Sequence, residues 1–542
     1  MSETTQDPVA TLRDAIGSAA GELHHGIPQV SLERPPRPEL GDYSTNAAML
    51  AAPLLGAPPR DVAERLAGGL EARLGEDLER LEVAGPGFLN LHMTEAWFRA
   101  AAEGVRRLGA RFGAVSVPDP RSVVVEFVSA NPTGPLTVAS GRHAAYGDAL
   151  ARVLEFAGER VDREYYLNDI GGQIRLFGDS IAARIGGEPI PEGGYEGDYV
   201  AELGSRIASE GIDREDVDAV SRRGVELMLE SIRATLERAR VRFDTWSSER
   251  ALHEAGALKA AINALGGHEL VYESEGAVWL RTTEFGDDKD RVLIRADGEP
   301  TYFAGDIAYH RDKLERGAEL MINVLGADHH GYINRMHAAI AALGAPREAW
   351  EAEIMQLVNL LEGGERARMS KRRGEFATFD ELLDDIGVDA ARFFLLQRSH
   401  DSPIDIDLEL ARQQSSDNPV YYVQYAHARI RSLFRAAEEG DATGRLETVA
   451  APGTLEPAER ALVARLLEMP AQASRAAAKR EPHVIANYAR EVAADFHAFY
   501  RDCRVVGAGA GLEEARLAVC GASQVVIASC LELLGIEAPE EM

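Results

Sequence analysis

Cysteine is nearly absent from this chain of 542 residues, which holds only Cys503, Cys520 and Cys530. Three thiols without paired histidines or cysteines at ligand spacing exclude a disulfide framework and a zinc site, and they fit a reducing cytoplasm. Lysine is scarce too, and arginine carries nearly all the positive charge. Genomic base bias explains the trend, but it makes each lysine a place where arginine was not an adequate substitute. Positive charge as a whole is in deficit, with a formal net charge of -30. Taken alone, that deficit argues against a polyanionic partner, although local basic patches matter more within a Debye length of about 8 Å. No apolar run approaches membrane-spanning length, and the opening MSETTQDPVATLRDAIG has no basic region followed by an apolar core. Neither a membrane span nor a signal peptide is expected.

What is present is the composition of an ordinary soluble globular protein, 45% hydrophobic and 27% charged. The length predicts two to four domains. Residues 1–115 read as a small α+β unit, with a helix from Val9 to about Leu23 and an alternating stretch, RLEVAGPGFLNLHM, broken at Pro86 and Gly87. From Ser122 the character changes. VVVEFVSA is a continuous β-branched run suited to the middle of a parallel sheet. A helix is predicted after it from about Gly141 to Phe156. RVLIRADGEPTYF reads as a hairpin around Asp297 and Gly298, and LMINVLGA as another buried strand. The alternation predicts a doubly wound, Rossmann-like parallel-sheet domain over 116–408, with a helical insertion at about 178–280. Residues 409–542 read as an α-helical bundle. The fold class expected is therefore multidomain α/β.

Three stretches carry residues fit for chemistry. In NPTGPLTVASGR, Asn131, Thr133 and Gly134 fall at a strand's carboxyl end, where helix N–H groups point at anions. Thr137 and Ser140 there either donate to phosphate oxygens or cap the helix. In RARMSKRRGEFATFDELL, the residues Arg366, Arg368, Lys371, Arg372 and Arg373 crowd a loop that ends at a capping box of Thr378 and Glu381. Such a loop can neutralise charge on a polyphosphate. Third, Glu126 projects from an apolar strand, and Tyr302 and Asp306 lie one helical turn apart. A buried carboxylate needs a cation, either internal or on a ligand. Asp328, His329 and His330 resemble metal ligands, but the further aspartates that a metallophosphoesterase needs at earlier strand ends are not found, so no metal site is read.

Together these stretches resemble the bacterial type of arginyl-tRNA synthetase, a class I family, over nearly the full length. EFVSANPTGPL, GRHAAYGDALARVLEFAG and REYYLND look like its first signature region. GEPTYFAGDIAYHRDKL, VLGADHHGYINRM, MSKRRGEFATFDELL and DNPVYYVQYAHARIRS look like its downstream blocks, and LGDYSTNAAML with GPGFLNLHM is similar to its N-terminal domain. The family's His-x-Gly-His signature here reads Thr137, Val138, Ala139, Ser140. Hydroxyls keep hydrogen-bonding ability but supply no imidazolium charge, so most of the positive charge falls to Lys371 and its neighbours.

The resemblance implies an aminoacyl-tRNA ligase that uses ATP with Mg²⁺ to join L-arginine to tRNA-Arg. It implies catalytic roles for Lys371, Thr137 and Ser140, and ATP contacts from Pro132, Thr133, Gly134, Thr137, Ser140, Gly141, Met369, Ser370 and Lys371. Glu126, Asn131, Tyr302, Asp306 and His329 would bind arginine. Phe88 and Asn90 would meet the tRNA D-loop, and Tyr422, Tyr425 and Arg429 the anticodon region. A cytoplasmic monomer is the family expectation. Two other readings stand beside it: a paralogue that binds tRNA or nucleotide without acylating, motivated by the missing histidines, and a metal-dependent phosphoesterase.

Overall fold

The computed structural model of the protein describes residues 7–28, 30–267, 269–366, 377–439, 454–509 and 511–542. The first helix, Pro8–Leu23, starts where the Asp7 side chain accepts the Val9 N–H at 3.0 Å, with proline in its first turn. Leu12, Ile16, Ala19 and Ala20 form its buried face. Behind it lies a three-stranded antiparallel sheet in the order Tyr43–Thr45, Phe88–Met93, Leu78–Ala84. The break at Pro86 and Gly87 is thus a hairpin turn. Gly87 has φ of 140°, and a Cβ there would come 2.9 Å from the Pro59 carbonyl.

The central sheet has five strands, in the order Trp350–Met355, Leu320–Gly326, Ser122–Glu126, Arg160–Leu167, Thr245–Ser248, with every neighbouring pair parallel. Winding reverses between Ser122–Glu126 and Leu320–Gly326. That pair forms the topological switch point, where open α/β sheets bind ligands beyond the carboxyl ends of their strands. Val123, Val124 and Val125 are all buried, as the unbroken apolar run requires. The expected insertion at about 178–280 needs a correction. Thr245–Ser248 is a strand of the central sheet, so the helical excursion runs from Gly172–Gly186 through Asp198–Ser209 to Val217–Arg238 and then returns. A separate small sheet of Val271–Ser274, Ala277–Leu280 and Arg291–Ile294 follows.

The long helix behind the switch point is Val138–Phe156 and begins three residues before the predicted Gly141. It can do so because Thr137, not Ser140, is its N-cap, accepting the Ser140 N–H at 3.2 Å. Gly141 and Gly147 fit aromatic rings: a Cβ would fall 2.4 Å from Phe379 at the first and 2.1 Å from Phe127 at the second. The C-terminal part is the expected bundle, with helices Pro419–Glu439, Pro457–Leu466, Met469–Lys479, His483–Asp502 and Leu512–Leu533. The last of these corrects the reading of the apolar runs. Its mean hydropathy of 1.4 and 22 residues would suffice to cross a membrane, yet 72% of that stretch is buried inside the protein. It is the core helix of the bundle, with Cys520 and Cys530 facing inward. Arg460 joins the bundle to the first domain, donating to Asp42 at 2.7 Å and to the Met93 carbonyl at 2.9 Å.

Candidate active site and RNA-facing surfaces

The strand Ser122–Glu126 delivers the chain into a strained turn. Val128 has φ of 65° and Ser129 of 40°, left-handed conformations that a β-branched residue in particular avoids. Three bonds hold the turn: Ser129 Oγ donates to Glu126 Oε1 at 3.3 Å and accepts the Tyr166 N–H at 3.1 Å, and Tyr165 Oη donates to the Ala130 carbonyl at 2.9 Å. Beyond the turn, Asn131 is exposed, Pro132 and Thr133 are buried, and the chain enters the helix at Thr137.

Glu126 proves to be compensated from inside. Its Oε2 accepts from Lys313 Nζ at 2.5 Å and from Asn323 Nδ2 at 2.8 Å, and Lys313 is completely buried. Asn323 in turn accepts from Trp350 Nε1 at 3.1 Å. Glu126, expected at the amino-acid end of the substrate, thus carries an internal counter-charge. One of the scarce lysines already occupies it, as a compact ammonium that fits a narrow site over the Tyr309 ring.

Asp306 is the opposite case. Its carboxyl is hydrogen-bonded by the Tyr332 hydroxyl, and burial, with Glu126 and Glu249 nearby, pushes its pKa up to about 7. Burial and Asp169 raise Glu249 as well, and Tyr166 sits among these carboxylates with its own pKa raised by burial. Beside them His310 is pushed down to about 4 by burial and Lys313, so it is neutral and donates from Nδ1 to the Asp306 carbonyl at 2.8 Å. Asp306, Glu249 and Tyr166 thus form a desolvated acidic cluster beside the switch point. A guanidinium suits it, because a planar cation with several N–H donors can satisfy carboxylates through parallel bonds.

Tyr302 opens the helix Tyr302–Glu315 and is 80% exposed, and the phenol bonded to the Asp306 carboxyl is that of Tyr332. Asn131 Nδ2 donates to Gln173 Oε1 at 2.6 Å. Thr137 Oγ1 and Ser140 Oγ lie 3.2 Å apart, so both hydroxyls belong to the cap at the helix start. The Asp328, His329 and His330 side chains lie outside what is described, although their backbone forms the turn Ala327–Tyr332. Arg368, Met369, Ser370, Lys371, Arg372 and Arg373 fall outside the described residues. The capping box at Thr378 and Glu381 forms as predicted. An isolated antiparallel bridge pairs Thr378 with Thr137, and Phe379 N–H meets the Leu136 carbonyl at 2.7 Å.

Comparison with known proteins decides the family. Residues 10–93 match the arginyl tRNA synthetase N terminal domain, 209–430 the class I (R) tRNA synthetase catalytic domain, and 423–542 the DALR anticodon binding domain. The arginine--tRNA ligase of Frankia alni is 47% identical over 99% of this chain and all of its own length. That of Heliobacterium modesticaldum is 43% identical over 96% of both chains. Among solved structures, the Thermus thermophilus arginyl-tRNA synthetase covers 98% of this chain and all of its own, at 26% identity and a TM-score of 0.77. The chain belongs to the arginyl-tRNA synthetase family. Neither the non-acylating reading nor the phosphoesterase reading is favoured by these relatives.

Two surfaces of this family member set aromatic rings beside amide or guanidinium groups. Phe88 is 39% exposed at the start of its strand, so the core does not absorb it. It lines a cavity of about 440 Å³ with Asn90, Ser44, Asn46 and Leu40. Asn90 is buried, and Ser44 Oγ donates to its Oδ1 at 2.8 Å, which orients the amide. On the bundle, the Arg429 guanidinium lies 4.5 Å from both the Tyr425 and the Tyr500 rings, and Tyr421 stacks on Tyr425 at 6.0 Å. Tyr422 packs on His497 at 4.6 Å. Sequence reasoning missed Tyr500, Tyr332, Glu249, Tyr166 and Lys313. The rarity of lysine was the one signal that could have singled out Lys313.

Proposed function

We propose that this protein is an arginine–tRNA ligase whose deep crevice holds the guanidinium of L-arginine against Asp306, with Glu249, Tyr166 and Tyr332 around it. The observation that carries this reading is the Asp306 carboxyl: enclosed, hydrogen-bonded by a phenol, and next to the switch point of a class I fold. An ammonium cannot reproduce the planar double bond to a carboxylate, which gives discrimination against lysine. Glu126 does not bind the substrate's guanidinium directly. Paired with Lys313, it holds the strained turn and so places Asn131 at the amino-acid end of the substrate.

Reaction begins with arginine's carboxylate oxygen attacking the α-phosphorus of ATP in line. A carboxylate–phosphate bond forms, the bond from that phosphorus to the β-bridging oxygen breaks, and pyrophosphate leaves with the electron pair. A hydroxyl of the terminal ribose of tRNA-Arg then attacks the activated carbonyl and expels AMP. Thr133, Gly134, Thr137 and Ser140, at the start of the Val138–Phe156 helix, bind the phosphates by neutral hydrogen bonds and the helix N-terminus. Gly141 serves by admitting the Phe379 ring rather than by touching the nucleotide. Lys371 supplies cationic charge from the following segment. It precedes Ala377 in the chain, whose carbonyl accepts the Val138 N–H at 3.2 Å at the start of that helix. Mg²⁺, a hard ion, would travel with the triphosphate oxygens, and the hydroxyls of Thr137 and Ser140 would be neutral oxygen donors beside it.

Residues 1–115 bind the D-loop through Phe88 and Asn90, 116–408 catalyse, and 409–542 take the anticodon stem-loop on the Tyr425, Arg429 and Tyr500 face, with Tyr422 behind it. A cytoplasmic monomer completes the proposal. The test is incubation of purified protein with ATP, labelled arginine and tRNA-Arg. Charged tRNA is expected, and none above background would refute the proposal.

A further inference from the structure

The helical excursion between Leu167 and Thr245 has its own core, with Ile174, Phe177, Ile181, Val200, Ile207 and Val220 buried. It nevertheless reaches out to the turn that precedes the Val138–Phe156 helix. Tyr199, the second residue of the helix Asp198–Ser209, donates from Oη to the Thr133 carbonyl at 2.8 Å. Two residues before Thr133, Asn131 bonds Gln173 at the start of the same excursion. Between these bonds the chain has little freedom, since Thr133 N–H also meets the Asn131 carbonyl at 2.8 Å. Gly134 makes room for the ring, because a Cβ there would stand 3.2 Å from Tyr199 Oη. Tyr199 packs against both the excursion's core and the main core, so it joins two bodies at the loop. Burial pushes its pKa up to about 12, which keeps the hydroxyl protonated and donating.

We infer that Tyr199 is a positioning residue for adenylate formation, through which the helical excursion sets the height of residues 133–134 above the ATP phosphates. The inference rests on the proposed function and adds to it. It follows from reach. A serine or threonine hydroxyl stands one bond beyond Cβ and cannot follow phosphates if its loop drifts, whereas a longer side chain could. With Thr137 and Ser140 in place of imidazoles, the backbone's position does what side-chain length would otherwise do.

Tyr199→Phe removes one hydroxyl and leaves the packing. It should raise the KM for ATP in arginine-dependent aminoacylation roughly three- to ten-fold, the range of one net hydrogen bond. Arginine affinity by equilibrium dialysis and the thermal midpoint should not change. Tyr195→Phe, which alters a tyrosine packed on Phe177 within the excursion, should leave the ATP KM unchanged. An ATP KM for Tyr199→Phe within about two-fold of the unmodified protein would overturn the inference. So would a parallel loss of ATP and arginine binding with a lowered midpoint, the signature of a merely structural bond. If the unmodified protein charges no tRNA, the proposed function fails instead, and ATP affinity by dialysis still reads the inference: it is overturned if Tyr199→Phe binds ATP as the unmodified protein does.

Discussion

The two halves of the proposed site handle charge in opposite ways. In the deep half, carboxylates are buried and their charge is set by the fold: Glu126 is neutralised by Lys313, whereas among the described residues Asp306 is hydrogen-bonded by the Tyr332 phenol. In the shallow half, at the start of the Val138–Phe156 helix, the side chains are hydroxyls already committed to a cap. The difference teaches that, in the proposed site, the charge that would select the substrate is set by the fold itself. Charge for the phosphates must come from elsewhere, and Lys371 is the residue proposed to bring it. An unpaired buried carboxylate is costly, and a protein keeps one where a cationic ligand repays that cost.

The harshest way to break the comparison is to remove the internal cation. Lys313→Met strands Glu126 in a dry site and should cost about 3–5 kcal/mol of stability, measured by denaturant unfolding. Adding Glu126→Gln should recover most of it, because the pair rather than either residue is what the fold requires. A loss no larger in Lys313→Met than at a surface pair would show that water reaches the site. Next, Asp306→Asn keeps the shape and deletes the charge. The KM for arginine should rise roughly fifty- to a hundred-fold, the worth of a charge-assisted bond, with the ATP KM little altered. Equal effects on both substrates would erase the distinction between the halves.

Those residues also show what the sequence made legible. The run VVVEFVSA, the LMINVLGA strand and the amphipathic helices were readable because hydrophobic periodicity is local, and the resemblance drew attention to Asp306 and the Phe88–Asn90 pair. The Glu126–Lys313 pair was not readable, since it joins residues 187 apart in the chain and nothing local announces it. The strand Thr245–Ser248 was missed because four residues at a sheet edge leave too short a pattern to rise above the helices around it. Thr137 and Ser140 are both plausible caps three residues apart, and only packing of the helix start against Phe379 decides between them. Tyr302 shares a face with Asp306 by spacing, but a residue in the first turn is free to point at solvent, and it does.

Proton linkage sharpens the contrast further. Burial raises Asp306 to about 7, with Glu126 and Glu249 adding to the rise and Tyr332 and Lys313 opposing it. Its unfolded value is near 4, so folding takes up a proton between those limits, and stability falls as pH rises through that window. Guanidinium stays charged throughout. Arginine must therefore displace a proton below about pH 7, and its affinity should rise roughly ten-fold from pH 6 to 8, then level off. Titration calorimetry should detect a proton released at pH 6 and little at pH 8. ATP affinity should lack this step, and Asp306→Asn should abolish it for arginine.

The smallest effect lies in the shallow half. Thr137→Ala deletes the cap that starts the Val138–Phe156 helix and should cost about 1 kcal/mol of stability. If the hydroxyl also meets a phosphate, the KM for ATP should rise a further few-fold, of the order of one neutral hydrogen bond. Thr137→Ser should restore both quantities, because it returns the oxygen without the methyl. Ser140→Ala separates the roles: its N–H still donates to Thr137 Oγ1, so stability should hold while the ATP KM rises. If Ser140→Ala leaves the KM for ATP unchanged, Ser140 contributes no phosphate contact, and the helix start would serve ATP through its backbone N–H groups and the cationic segment alone.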